Sequence, residues 1–246
     1  MGGTIRLFKF SGIQVYLHFS WFLVAAYELT QRTGVYSSQI WAGYEYLALF
    51  GIVLLHEFGH ALACRQTGGT ADQIVLWPLG GIAFVNPPRR PGAMLWSIAA
   101  GPLVNVVLIP VFSVAVWLTA QRVYETPDLY VLMVWLWRIN LGLLIFNMLP
   151  VYPLDGGQIL RSLLWFPLGE IRSLQIASVI GLVGAVVLAA LALLLQIMQP
   201  IWVAIMAIFL ISQAITGWRY AKALVQEEEA NRAARLVPTV PLEERR

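Results

Sequence analysis

Residues 54–64 read Leu54-Leu55-His56-Glu57-Phe58-Gly59-His60-Ala61-Leu62-Ala63-Cys64, and this stretch decides how the rest of the chain is interpreted. Residues four positions apart lie on one face of a helix, so His56 and His60 can both reach one metal ion. Glu57 completes the H-E-x-x-H pattern, in which two histidines bind zinc and the glutamate acts as a general base. The flanking residues are almost wholly apolar, which predicts that this site lies inside a membrane.

The composition supports a membrane location. The 246 residues are 59% hydrophobic and only 12% charged, and the mean hydropathy is +0.72, which is too apolar for a soluble domain. A net charge of +3 could indicate nucleic-acid binding, but the basic residues form no sustained cluster. The only cysteine is Cys64, so neither an intrachain disulfide nor a Cys-rich zinc site can form.

Hydropathy predicts an all-α polytopic membrane protein with about six transmembrane helices. The predicted spans cover residues 15–29, 39–65, 94–120, 129–149, 171–196 and 201–220. The first segment could also be a signal peptide, but it lacks a clean small-residue cleavage site and further spans follow, so we interpret it as an uncleaved span. A short interfacial strand is expected before it, within residues 3–12.

Two segments between the spans are predicted to be non-helical. Ile74–Trp77 and Ile82–Val85 have the pattern of strands, and Pro78-Leu79-Gly80-Gly81 between them is a turn, which predicts a small membrane-associated β-hairpin. After the fourth span, Pro150 and Pro153 exclude a regular helix.

Basic residues are distributed unevenly over the predicted loops, which indicates the orientation of the chain. The outer loops contain only Arg32 and Arg122, and Arg138 alone lies within a span, where it either faces a wet groove or pairs with an acid such as Glu45. The other 13 of the 16 basic residues lie on the predicted inner side: Arg6, Lys9, Arg65, Arg89, Arg90, Arg161, Arg172, Arg219, Lys222, Arg232, Arg235, Arg245 and Arg246. This distribution predicts that both termini are cytoplasmic.

A catalytic zinc usually has three protein ligands and a water, so the two histidines require a partner. His60 is only about 9 Å of helix from the inner end of its span at Gln66, so the partner should come from the inner side. His18 is the only other histidine, and a lone ring near a membrane interface is expected to be structural. Asp155 is the better candidate, because it follows a proline-broken span end and precedes two glycines that permit close backbone approach. Cys64 is expected to be a small buried residue.

Three segments together resemble the signature segments of the site-2 protease family of intramembrane zinc metalloproteases. They are His56–His60, Gly101-Pro102-Leu103-Val104-Asn105, and Asn147-x-x-Pro150-x-x-Pro153-Leu154-Asp155-Gly156-Gly157, and they occur in the order of the family. Gly80-Gly81-Ile82-Ala83 is also similar to the membrane-associated hairpin of the family. The chain looks closest to the compact prokaryotic branch with six spans, because no PDZ-like insertion fits between the third and fourth spans and no CBS-like domain fits in the tail.

The resemblance implies one zinc ion per chain, bound by His56, His60 and Asp155, with Glu57 as the catalytic base. It implies that residues 1–225 form a single intramembrane metalloprotease domain and that residues 226–246 are a cytoplasmic tail, in a multi-pass protein of the cell membrane. The implied substrates are single-span membrane proteins, such as membrane-tethered transcriptional regulators or anti-sigma factors, cleaved near the cytoplasmic face.

Further residues are expected to support the site. Asn147 is a candidate for holding the substrate backbone or the developing oxyanion, and Pro153 of the same segment is assigned to substrate binding with it. Asn105 is a candidate for orienting a metal ligand. Both asparagines could instead form ordinary interhelical hydrogen bonds.

The predicted hairpin offers an edge for the substrate. A helical substrate must unwind before its peptide bond is accessible, and an extended segment could pair with Ile82, Ala83 and Phe84 as an added strand. Proline at Ile82 or Phe84 should then reduce cleavage without removing zinc.

Two other functions stay open at this point. A membrane zinc protease of the prenyl-protein-processing type would take its third ligand from a glutamate on a downstream helix, and the Leu154-Asp155-Gly156 segment argues against it. From a different class, the chain could be a metal transporter or a zinc-stabilised, non-catalytic scaffold. A transporter should show ionisable residues along a continuous path, whereas here they converge on one depth.

Overall fold

The computed structural model describes residues 3–77, 80–196 and 200–236. In chain order they form β1 (Thr4–Phe10), β2 (Ile13–His18), α1 (Ser20–Gln31), α2 (Gln39–Gln66), β3 (Thr70–Trp77), β4 (Gly80–Asn86), α3 (Pro91–Ala120), α4 (Pro127–Asn147), α5 (Asp155–Leu168), α6 (Glu170–Leu194) and α7 (Pro200–Leu236). Five of these helices, α2, α3, α4, α6 and α7, are long and apolar enough to cross a membrane. The predicted helical multi-pass fold with a small β element is confirmed.

The first predicted span, residues 15–29, is not a single helix. Ile13–His18 is a strand, and α1 has only 12 residues, or about 18 Å of helix, which is too short to cross a bilayer core of about 30 Å alone. The strand was mistaken for part of a helix because both of its faces are buried or half-buried, so most of its residues are apolar.

Strand and helix together cover the distance that one helix was expected to cross. At one end of α2 the Arg65 guanidinium donates to the carbonyl oxygen of Ser11, just before β2. Near the other end Glu45 accepts a hydrogen bond from Arg32, just after α1. Glu45 and Arg65 are about 30 Å apart along α2, so the chain from Ser11 to Arg32 connects points one bilayer thickness apart.

The four strands form one sheet in the order β1-β2-β3-β4. β1 pairs antiparallel with β2, β2 pairs parallel with β3, and β3 pairs antiparallel with β4. The interfacial strand and both hairpin strands were predicted, although Pro78 and Leu79 of the predicted turn lie outside the described residues. The sequence did not reveal that β2 joins them into one sheet, in which β1 and β4 are the edges.

Local signals fix the bounds of α2, which carries the histidines. Ser38 is the N-cap, and its side chain accepts from the amide of Ile40. After Gln66 the chain turns through Gly68 at a φ of +87°, and the amide of Gly69 returns to the carbonyl oxygen of Cys64. Only glycine adopts this φ without strain, so the Gly-Gly pair sets where α2 ends and β3 begins.

The sheet and α2 share one buried apolar core. Side chains of α2, β2 and β3 meet in it: Ile13, Val15, Val53, Phe58, Ala61, Cys64, Ile74 and Leu76. This packing holds the H-E-x-x-H turn of α2 against the sheet, with partly buried Ala83 and Val85 of β4 at its margin.

The chain divides into two compact units, residues 1–149 with 154–159 and residues 150–153 with 160–246. The second unit is built on α6 and α7, whose core contains Leu174, Ala221 and Leu224. Tyr152 belongs to this unit, and a Cβ on Gly181 would lie 2.7 Å from its carbonyl oxygen. Both histidines and their polar partners Ser97, Asn105 and Asp155 belong to the first unit.

Candidate active site

Three side chains converge in the first unit. His56 and His60 lie one turn apart on α2, and their Nε2 atoms are 3.1 Å apart. Asp155, the first residue of α5, places Oδ2 3.1 Å from His56 Nε2 and Oδ1 3.5 Å from His60 Nε2. Among the described residues these three form a group that could hold a metal ion, with ligand atoms within 4.8 Å of one another.

The Nδ1 atom of each imidazole, on the side of the ring opposite the other histidine, has a partner that determines where the ring proton lies. His56 Nδ1 is 2.6 Å from Asn105 Oδ1, and His60 Nδ1 is 2.9 Å from the carbonyl oxygen of Ser97. Both partners are oxygen acceptors, so we assign the proton of each neutral ring to Nδ1. The two Nε2 lone pairs therefore point at one another and at Asp155.

This donor set fits a zinc ion. Two lone pairs and a carboxylate facing one another at 3.1–3.5 Å repel unless a cation lies between them. Ligands held at 2.0–2.1 Å in a tetrahedron would be about 3.3 Å apart, which agrees with these separations. Asp155 Oδ2 is also buried without a hydrogen-bond donor among the described residues. Three protein ligands would leave a fourth position for water or substrate, as in catalytic zinc sites.

Glu57 is buried next to this group but is not one of its three members. Its Oε2 accepts a hydrogen bond of 2.9 Å from the amide of Ala83 on β4. Glu57 directly follows His56 and contacts a sheet edge, so its carboxylate can take part in proton transfer beside that edge.

Glycines allow backbone and rings to approach the site closely. A Cβ on Gly101 of α3 would overlap the imidazole ring of His60, and a Cβ on Gly156 would overlap the carbonyl groups of Met148 and Leu149. On α2, a Cβ on Gly59 would lie 2.6 Å from the carbonyl oxygen of Ala100. The two glycine-containing segments noted in the sequence thus bring α3 and the start of α5 against their neighbours.

The structure brings some predicted residues together and leaves others apart. Asn105 contacts His56 as expected for an orienting residue. Ala83 lies on the edge strand β4 and contacts Glu57, while the exposed side chain of Phe84 next to it is on the same strand. Ile82 is on β4 as well, paired with Val75.

The other two predicted substrate residues flank the broken end of α4. Asn147 is the last residue of α4 and is half-buried. Pro153 belongs to the second unit.

Sequence reasoning missed two parts of the site. Asn140 of α4 is fully buried and hydrogen-bonded to Asn105. Its signal in the sequence was a polar side chain within an apolar span. The carbonyl oxygen of Ser97 had no signal, because any residue supplies a backbone acceptor.

Residues outside the site have other partners. His18 stacks on Trp77 with ring centroids 3.9 Å apart, so its expected structural role agrees with its position. Cys64 is buried in the core and donates to the carbonyl oxygen of Thr70. The suggested pairing of Arg138 with Glu45 is wrong, since both Glu45 oxygens bond to other residues and Arg138 is exposed.

The chain matches the family model described as Peptidase family M50 over residues 44–127 and 121–191. This chain belongs to Peptidase family M50. The matched residues include His56, His60 and Asp155.

Individual proteins show the same similarity. The chain is 34% identical to a zinc metalloprotease of Methanocaldococcus jannaschii over 183 residues, which are 74% of this chain and 51% of that protein. It is 36% identical over 149 residues to the putative zinc metalloprotease Rip3 of Mycobacterium tuberculosis, covering 59% of this chain and 37% of the other. A putative zinc metalloprotease of Synechocystis is 28% identical over 257 residues, with coverages of 98% and 67%. The chain thus spans about half the length of the first of these relatives, and less of Rip3.

A solved structure agrees with the fold. The site-2 protease from Methanocaldococcus jannaschii superposes with a TM-score of 0.60 at 29% identity, covering 87% of this chain and 95% of that one. The family resemblance of the three sequence segments is therefore confirmed, and the fold is that of a site-2 protease.

Proposed function

We propose that this chain is an intramembrane zinc endopeptidase that hydrolyses a peptide bond of a membrane-spanning protein near the cytoplasmic face. The observation that carries the proposal is the convergence of the Nε2 atoms of His56 and His60 and the Asp155 carboxylate beside buried Glu57. The names of the similar proteins support the zinc and the protease activity. A scaffold would need the three ligands but not Glu57.

His56, His60 and Asp155 would hold one zinc ion per chain. When bound there, the ion would supply a Lewis acid for the scissile carbonyl and an activated water. Glu57 takes a proton from this water as its oxygen adds to the carbonyl carbon. The carbon–nitrogen bond then breaks, and Glu57 delivers the proton to the leaving nitrogen, so the products are a carboxylate and an amine.

The substrate is proposed to lie along β4. β4 is an edge strand of the sheet, and one of its amides already contacts Glu57. An unwound substrate segment pairing with Ile82, Ala83 and Phe84 would present its peptide bond to the base in extended form. Asn147 and Pro153, which precede Asp155 in the sequence, are also proposed to contact the substrate backbone.

The membrane location and the orientation of the chain are proposed from the positions of its basic residues and from its long apolar helices. The excess of basic residues on one predicted side favours the cell membrane with both termini cytoplasmic. Residues 1–225 would form the protease domain and residues 226–246 a cytoplasmic tail. The proposed substrates are single-span membrane proteins, such as a membrane-tethered transcriptional regulator or an anti-sigma factor.

One experiment tests the proposal. Wild-type chain, Glu57→Gln and Asp155→Ala are expressed to equal levels, and new N-termini in single-span membrane proteins are compared by labelling and mass spectrometry. We expect fragments only with the wild type, zinc in wild type and Glu57→Gln, and loss of zinc in Asp155→Ala. Fragments persisting with Glu57→Gln, or none with the wild type in its native host, would contradict the protease activity and leave the transporter or scaffold.

A further inference from the structure

Asn140 lies in the middle of α4 and is fully buried among apolar side chains. A buried amide in a membrane-spanning helix is costly unless both its donor and its acceptor are used. Both the donor and the acceptor of the Asn140 amide are hydrogen-bonded to Asn105 of α3. Asn140 Oδ1 accepts from Asn105 Nδ2 at 2.8 Å, and Asn140 Nδ2 donates to the backbone carbonyl oxygen of Asn105 at 2.9 Å.

The two bonds fix the orientation of both amides. The backbone carbonyl oxygen of Asn105 can only accept a hydrogen bond, so the NH₂ group of Asn140 must face it. The Asn140 oxygen then faces the Asn105 side chain, which must present its own NH₂ group there. Asn105 Oδ1 is therefore left to face His56 Nδ1, at 2.6 Å.

The two histidines differ in how their protons are held. His60 Nδ1 faces a backbone carbonyl oxygen, that of Ser97, which cannot turn into a donor. His56 Nδ1 faces a side-chain amide, which would present NH₂ if it turned by 180°. With that amide turned, the His56 proton would move to Nε2, and the lone pair aimed at Asp155 would be lost.

We propose that Asn140 is a positioning residue for the metal site: it holds the Asn105 amide in one orientation and so keeps the Nε2 lone pair of His56 directed at the metal position. The inference rests on the proposed metal-binding role of His56. Groups that orient metal ligands from outside typically change metal affinity 10–100-fold when they are removed. Asn140 touches neither substrate nor metal, so its effect passes through Asn105.

A double-mutant cycle in the full-length, detergent-solubilised chain tests this proposal. Zinc affinity is measured by competition with a chromophoric chelator for wild type, Asn140→Ala, Asn105→Ala and the double variant. The ligand-field spectrum of the Co²⁺-substituted protein gives a second readout, one that a loss of helix packing alone would not change. We expect a loss of about 10–100-fold in each single variant, and no further loss in the double variant relative to Asn105→Ala.

Two further variants serve as controls. Ser113→Ala removes a different polar contact between α3 and α4, the 3.0 Å bond from Trp137 Nε1, and should leave zinc affinity unchanged. Asn140→Asp keeps an acceptor for Asn105 Nδ2 and should bind zinc more tightly than Asn140→Ala, which keeps the test usable if the alanine variant folds poorly.

The outcomes are distinguishable. Wild-type affinity in Asn140→Ala, additive losses in the double variant, or an equal loss in Ser113→Ala would each overturn the positioning role. An Asp variant that binds no better than Asn140→Ala would also overturn it. If instead wild type and His56→Ala bind zinc equally, the proposed ligand set itself fails, whatever Asn140 does.

Discussion

The amide nitrogen of Ala83 lies 2.9 Å from Glu57 Oε2, so the edge strand β4 and the acid beside the two histidines share a hydrogen bond. This bond shows which way the amide points. Ala83 is paired with Ile74 of β3, but its N–H is directed to Glu57 and away from β3. Because amides alternate along a strand, we expect those of Ile82 and Phe84 to point towards β3 and that of Val85 to point to the open edge. The register shift opposite Phe84 and Val85 places the extra residue, Asp72, in β3.

This alternation changes the proline test of substrate pairing. Val85→Pro removes an open-edge donor and leaves the bonds to β3 in place, so we expect slower cleavage with normal zinc content. Phe84→Pro removes a donor to β3 and should instead lower the thermal stability of the protein. Cleavage of a fixed substrate, zinc content and thermal unfolding are measured for both variants. Wild-type cleavage by Val85→Pro would argue against a substrate strand at this edge.

The sequence predicted the geometry of His56 and His60 because a helix period depends only on local spacing. Asp155 could be suggested because prolines and glycines around it are themselves local signals. The direction of the Ala83 amide could not be predicted, since it depends on the register between β3 and β4.

The remaining errors also come from contacts that are distant in sequence. Strand β2 was predicted as part of a helix because burial of both its faces produces a largely apolar segment like that of a membrane span. Asn140 had no assigned role because its partner is 35 residues away on α3. Hydropathy and spacing therefore predicted the five long apolar helices and the convergence of His56, His60 and Asp155, but not the sheet or the contact between Asn140 and Asn105.

Gly101 provides a test of the contact between α3 and the metal site. Gly101→Ala should reduce zinc content and thermal stability, because the added Cβ would overlap the His60 ring. Gly92→Ala is the matched control on the same helix, where a Cβ meets open space. We expect it to keep zinc and to unfold at the same or a slightly higher temperature. Equal zinc binding by the two variants would show that this close approach does not constrain His60.

Metal removal should destabilise the folded chain. A ligand that binds only the folded state adds stability, about 2.7 kcal/mol when its free concentration is 100 times its Kd. A zinc chelator should therefore lower the unfolding temperature of the wild type, and it should have a smaller effect on Asp155→Asn, which has lost an anionic ligand. Thermal unfolding is measured with and without chelator, after zinc content is quantified. An unfolding temperature that does not change when one zinc per chain is removed would contradict the proposed site.

A second buried charged group lies near the opposite end of α2 from Arg65. Glu45 is buried and accepts from Arg32 and from the Tyr36 hydroxyl, each at 2.6 Å. Burial and the Glu45 carboxylate raise the pKa of Tyr36, so its phenol stays protonated and remains a donor. Arg32 also lies over the ring of Trp135, with Cζ 4.0 Å from the centroid. These contacts join the α1–α2 connection to α2 and α4.

Breaking this group should affect folding but not the metal. Arg32→Met leaves the Glu45 carboxylate buried without its cation, and we expect a loss of about 3 kcal/mol in the free energy of unfolding. The double variant Arg32→Met with Glu45→Gln removes the uncompensated charge, so it should be more stable than Arg32→Met alone. Zinc affinity should stay at the wild-type value in both, because Glu45 precedes His56 by about 16 Å along α2. A double variant less stable than the single one would show that Glu45 contributes through contacts other than its pairing with Arg32.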